Sequence, residues 1–373
     1  MKRLLIILIT LAASFPAFCC TSVIISGRVT YDGKPVMMKH RDTGQLNNRI
    51  ERFKGDKFDF IALVNSDWRT KPLSKYGFSG EAWTGVNSAG FSIMNTATYD
   101  LKDDDVPAEE MDREGIVMFR ALGICETLED FENLLNSLPR PMGVEANFGV
   151  IDAHGGAAYY EVNNTKWVKF DVNDEPSGYR VVTNFTQTGR PEDRKGVDRY
   201  EKASVIMKTI GTYVNTSHIG AKDMKRRITH KDLINRISRS GSPILRDITS
   251  ACIVIEGVKD GGNPSQTVMW TALGSPASTV YVPLLVMKED HIPSYLKSSE
   301  TSENAILCDN AIRLTGKNVT EQCREVEKII DRRFESIYLR WTRGFLPYER
   351  FCRLYDSICR KYFEVYEEKL NDY

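Results

Sequence analysis

The residues best placed to do chemistry stand at the head of one hairpin. Cys20-Thr21-Ser22 leads an apolar run to Ile25, Asp32-Gly33 supplies a turn, and Lys39-His40-Arg41-Asp42 closes the second run. Apolar and β-branched stretches flanking an Asp-Gly pair read as two strands joined by that turn. What precedes Cys20 reads as a removable leader. Lys2 and Arg3 form a positive head, Leu4 to Phe15 an apolar run, and Pro16 breaks it; Ala17 and Cys19 are then the small residues before a cut. Cleavage after Cys19 would leave a free α-amine and a thiol on the same residue.

That pairing is a complete acid–base and nucleophile unit. A thiol titrates at about 8.5 and an α-amine at about 7.7–8.0. An amine held against the sulfur can take its proton and later return it to a leaving amine. No catalytic histidine is needed. The five present (His40, His154, His218, His230 and His291) show no arrangement that demands a Cys-His couple.

The hairpin resembles the N-terminal nucleophile hydrolases of the choloylglycine hydrolase type. That group includes bile salt hydrolase, penicillin V acylase, acid ceramidase and the isopenicillin-N acyltransferase-like proteins. Its second strand ends in Arg-Asn-x-Asp, where this chain has Lys39-His40-Arg41-Asp42. The resemblance implies that Cys20 is the nucleophile and that Asp42 holds its amine and thiol. Either Lys39 or Arg41 takes the place of the family arginine. Further motifs follow in family order. Gly85-Val86-Asn87-Ser88-Ala89-Gly90 resembles a Gly-Met-Asn-Glu-x-Gly segment and brings Asn95 to the family asparagine that lines the site. Thr183-Asn184 resembles a Leu-Thr-Asn whose asparagine donates to the oxyanion. Arg199 matches the arginine of a Ser-Arg-Phe helix start. The likeness runs over about residues 20–287, and it implies a four-layer α/β/β/α sandwich.

Composition alone supports only a mixed α/β protein. The 373 residues are 42% hydrophobic, with 50 basic and 50 acidic side chains and no formal net charge. Such a balance gives no reason to invoke nucleic acid. Beyond the leader no apolar run reaches membrane-spanning length. Cysteine spacing fits no zinc pattern, so neither a metal nor a cofactor is expected. Cys125 and Cys252 lie in apolar runs and read as buried thiols, while an oxidising compartment would allow disulfides among the others. Sequons at Asn163, Asn184, Asn215 and Asn318 carry little weight.

Hydrophobic periodicity predicts strands over 59–66, 146–152, 157–162, 167–170, 179–185, 247–256, 267–273 and 278–285. It predicts helices near 115–122 and 128–137, with Thr127 as N-cap, and others opening at Asp198 and Thr229. From Glu321 the chain is charged, aromatic and helical in spacing, with Cys352 and Cys359 on one face. The expected division is a leader over 1–19, a hydrolase domain over 20–290 and a mostly helical extension over 291–373. The expected function is an exported, secreted or periplasmic linear-amide hydrolase acting on a small N-acyl amide such as a conjugated bile salt, penicillin V or an N-acyl amino acid. Acyl transfer, or a decayed binding protein on the same scaffold, are the alternatives. No membrane partner is expected after leader removal, and homo-oligomerisation is left open.

Overall fold

The computed structural model describes residues 19–67, 72–73, 77–102, 106–107, 110–216, 228–299, 302–370 and 372–373. The leader up to residue 18 and His218 lie outside these. The chain opens with β1 (Cys19–Ile25) and β2 (Val36–Asp42), paired antiparallel with Cys20 opposite Arg41 and Ser22 opposite Lys39. Gly33 makes the intervening turn at a φ of +80°, a conformation that only glycine adopts without strain. β3 (Asn48–Phe53) and β4 (Phe60–Asn65) then start a second sheet. After a short ribbon of β5 (Pro72–Leu73) and β6 (Phe78–Ser79), β7 (Thr84–Asn87) and β8 (Ser92–Ala97) extend it.

Two helices follow, α1 (Glu114–Ile124) and α2 (Leu128–Ser137). Thr127 caps α2 as its sequence position predicts, in a reciprocal capping box with Asp130. β9 (Ala146–Ile151), β10 (Ala157–Val162) and β11 (Trp167–Asp171) complete the second sheet, whose order is β11-β10-β9-β8-β7-β4-β3. β12 (Tyr179–Val182) returns to the first sheet beside β1, and α3 (Val197–Thr216) comes next. The helix expected from Thr229 is one turn, α4 (His230–Asp232), running into a π-helical turn over Leu233–Ile237. β13 (Thr249–Glu256), β14 (Val268–Leu273) and β15 (Val282–Leu284) finish the first sheet in the order β12-β1-β2-β13-β14-β15. The chain ends in α5 (Ile306–Arg313), α6 (Thr320–Thr342) and α7 (Tyr348–Leu370).

These elements stack as α/β/β/α. Phe60 and Phe148 of the second sheet, and Phe91 just ahead of β8, pack on Val117, Phe131 and Leu135 of α1 and α2. Between the sheets lie Ile24, Met37, Leu63, Met94 and Tyr159, and the same core continues to Met207, Phe334, Tyr355 and Tyr362 of α3, α6 and α7. Burying each such side chain is worth about 1.5–3 kcal/mol, which holds the sheets face to face. The strand expected over 278–285 is limited to Val282–Leu284, an edge strand that tolerates Pro283. All eight cysteines are free thiols, and Cys125, Cys252, Cys352 and Cys359 are buried.

Candidate active site

The first sheet delivers Cys20 to its neighbours through β1, flanked by β12 on one side and β2 on the other. Two contacts hold its backbone. Its N–H donates to Asn184 Oδ1 at 2.7 Å. Its carbonyl accepts from Arg199 Nη1. Arg199 knits this together, donating also to Asn184 Oδ1 at 2.7 Å and Thr21 Oγ1 at 3.3 Å. Asn184 thus reaches residue 20 through its carbonyl oxygen, while its Nδ2 donates to Ala97 O at 2.7 Å. The strand expected to carry it stops at Val182, and Asn184 sits beyond, bridged to Lys195.

Asp42 lies opposite Cys19 in the β1–β2 register and is wholly buried. Its Oδ1 accepts from Thr249 Oγ1 at 2.7 Å. Its Oδ2 makes no hydrogen bond, and the Arg246 guanidinium stands 3.9 Å from it. Directly opposed residues of an antiparallel pair share a face. Cys20, Ser22, Lys39 and Arg41 therefore face the second sheet, as the 3.0 Å bond from Tyr159 to Ser22 shows. Asp42, His40 and Thr21 share the other face.

Lys39 and Arg41 are both brought in, for different partners. Lys39 Nζ donates to Trp83 O at 2.5 Å and to Asn95 Oδ1 at 2.6 Å. Arg41 donates to Asn48 Oδ1, and to Asn65 Oδ1 at 2.8 Å. Both cations lie over the Trp83 ring, Lys39 at 5.9 Å and Arg41 at 5.0 Å, an attraction that strengthens where water is excluded. Burial lowers Lys39 to about 7, with the Cys20 sulfur opposing that fall. It lowers Arg41 to about 10. Burial also pushes the Cys20 thiol above its ordinary range, and Lys39 works against that rise. An external proton acceptor and a nearby cation are what such a thiol needs to react.

Sequence reading alone did not single out Trp83, Thr249, Arg246, Tyr99 or Glu114. Thr249 opens β13 and Trp83 precedes β7, and no local motif marks either as a partner of residues 39–42. Burial raises the Tyr99 phenol, which lies in the field of Cys20 and Arg199. Glu114, at the start of α1, is lifted by burial to about 7 and accepts from Glu145 N–H at 3.0 Å. Asn184 and Asn163 are buried, and Asn318 is exposed. Among the described residues no group of histidine, cysteine and carboxylate side chains could hold a metal ion, and no helix is long and apolar enough to cross a membrane.

No family model and no curated protein matches the chain. Many solved structures are similar to it, among them these three. An N-acylethanolamine-hydrolyzing acid amidase ortholog from Caenorhabditis elegans is 13% identical, with a TM-score of 0.45 over 66% of this chain and 93% of that one. A mutant conjugated bile acid hydrolase from Clostridium perfringens, with alanine in place of a cysteine, is 10% identical, with a TM-score of 0.43 over 73% and 93%. A penicillin V acylase from Agrobacterium tumefaciens is 13% identical, with a TM-score of 0.43 over 73% and 87%. At this level of likeness, the functional reading rests on the residues and their geometry.

Proposed function

We propose that the protein is an exported amidase that cleaves the C–N bond of a small N-acyl amide with Cys20 as N-terminal nucleophile. The observation that carries this is the convergence on residue 20 of Asn184 on its nitrogen and Arg199 on its carbonyl, with Asn184 and Arg199 bonded to each other. In an ordinary strand the neighbouring backbone takes the nitrogen and carbonyl; here the side chains of Asn184 and Arg199 take them.

Removal of the leader after Cys19 turns the residue 20 amide into an amine. Asn184 Oδ1 already accepts from that nitrogen, and Asp42 Oδ2, lacking a hydrogen bond, is the open acceptor on the other side. The amine takes the thiol proton, the thiolate attacks the substrate carbonyl, and a tetrahedral intermediate forms. Its negative charge develops on the face of the sheet that carries Lys39 and Arg41, where buried cations stabilise it more than water would. Collapse breaks the C–N bond, and the departing amine takes the proton held on the α-amine. Water then resolves the thioester by the same route.

The test is a chain processed to begin at Cys20, set against one carrying a single uncleavable residue ahead of it. Both are assayed on a panel of N-acyl aminocoumarins. The extended protein should fold and be inactive, because an amide is not a base, and Cys20→Ala should be equally inactive. Full activity with the extra residue confirmed by intact mass overturns the reading. N-terminal sequencing of exported protein should begin at Cys20.

A further inference from the structure

His40 is wholly buried, yet neither of its ring nitrogens makes a hydrogen bond. A buried polar group in that condition costs on the order of 1–3 kcal/mol and calls for a reason. Alternation along β2 puts His40 on the same face as Asp42, two residues on. Its Nδ1 stands 3.4 Å from Asp42 Oδ1, slightly beyond hydrogen-bond length. In unliganded sites such bonds are often long and shorten only when the reacting groups are in place. Across the sheet His40 is flanked by Thr21 of β1 and Cys252 of β13. The charged groups around it are Asp42 itself, Arg199 on Thr21 and Arg246 beside Asp42.

Asp42 has the complementary need. Thr249 fixes Oδ1 from β13, but one hydroxyl leaves the carboxylate free to turn about that bond. We propose that His40 is a positioning residue for Asp42. Its Nδ1–H donates to Oδ1, so that Thr249 and His40 together clamp that oxygen and present Oδ2 to the α-amine of Cys20. This rests on the reading of Cys20 as nucleophile. The imidazole neither touches substrate nor transfers a proton, and it acts only through the carboxylate.

The experiment uses the processed chain with His40→Phe and His40→Asn. Phenylalanine keeps the ring without a donor, while asparagine keeps a donor at the same strand position. Two rates are read: alkylation of Cys20 by iodoacetamide in the folded protein, and turnover of whichever aminocoumarin amide the parent hydrolyses. His40→Phe should lower both the alkylation rate and kcat by about tenfold or more with KM unchanged, the scale of losing a hydrogen bond to a charged group. His40→Asn should restore most of each. Parent-like rates in His40→Phe, or equal losses in both variants, overturn the proposal. If His40→Phe does not fold, histidine-nitrogen NMR of the parent, assigned by the resonance lost in His40→Asn, carries the test. A proton on Nδ1 is expected, and one held on Nε2 alone overturns it. Retained turnover in Cys20→Ala would sink the nucleophile reading itself, whereas an inactive Cys20→Ala beside a parent-like His40→Phe sinks only the role of His40.

Discussion

Replacing Lys39 by methionine should change how stability depends on pH. The ammonium is 2% exposed and lowered from its ordinary 10.5 to about 7, chiefly by burial. Between those two values the unfolded chain binds a proton that the folded one does not. Stability therefore rises with pH through that window. Below pH 7 both states hold the proton and the penalty for burying the charge is constant. Above it Lys39 contributes a slope of about 1.4 kcal/mol per pH unit, so its share of stability should rise by roughly 3 kcal/mol between pH 7 and 9. Glu114 acts in a separate window: its carboxyl, lifted to about 7 from an ordinary 4.5, makes stability fall as pH rises from 4.5 to 7. The joint contribution of these two groups is thus least favourable near neutrality. Lys39→Met removes the rise above 7 and leaves the fall below it. It also strips a donor from Asn95 Oδ1 and Trp83 O, but that loss does not vary with pH and cancels when slopes are compared. Urea unfolding of both proteins at pH 6, 7, 8 and 9 gives the slopes. Parallel curves above pH 7 would refute a buried, neutralising lysine.

Two further outcomes test the rest of the framework. Asp42→Asn should abolish most amidase activity with the fold kept by circular dichroism, because the amide cannot counter the charge of the α-ammonium; unchanged turnover removes Asp42 from the site. Thr127→Ala, far from the site in sequence, should lower unfolding free energy by about 1 kcal/mol through loss of the α2 cap and leave turnover unchanged.

What could be read from the sequence follows the range of the forces involved. The β1–β2 hairpin and α2 with its Thr127 cap were legible because turn chemistry and capping act over a few residues. So was β10, whose apolar limits match its ends. Cys20, Asn184 and Arg199, marked out by the sequence, meet in space, with Asp42 at the same end of the β1–β2 pair. How they meet was not legible. The side-chain orientation of Asn184, with its oxygen on Cys20 and its amide on Ala97, depends on β8 and β12 arriving from different parts of the chain. Lys39 and Arg41 both entered because Trp83 offers one ring to two cations, a pairing set by how the sheets face each other. The split of the 229–239 helix and the shortening of the 278–285 strand reflect tertiary packing that overrides periodicity.

The sequence separations of the site's contacts set an order of events during synthesis. Cys20 precedes its partners by long stretches of chain: its nitrogen waits 164 residues for Asn184 and its carbonyl 179 for Arg199. Asp42 waits 207 for Thr249, and Asn48, which holds Arg41, waits 260 for Cys308. Contacts that close such long loops form late. A ribosome-bound fragment therefore carries the thiol for most of its translation without the groups that arm it. On the proposed function, a product cut short before Thr249 would hold Cys20 without its full set of partners and be inert.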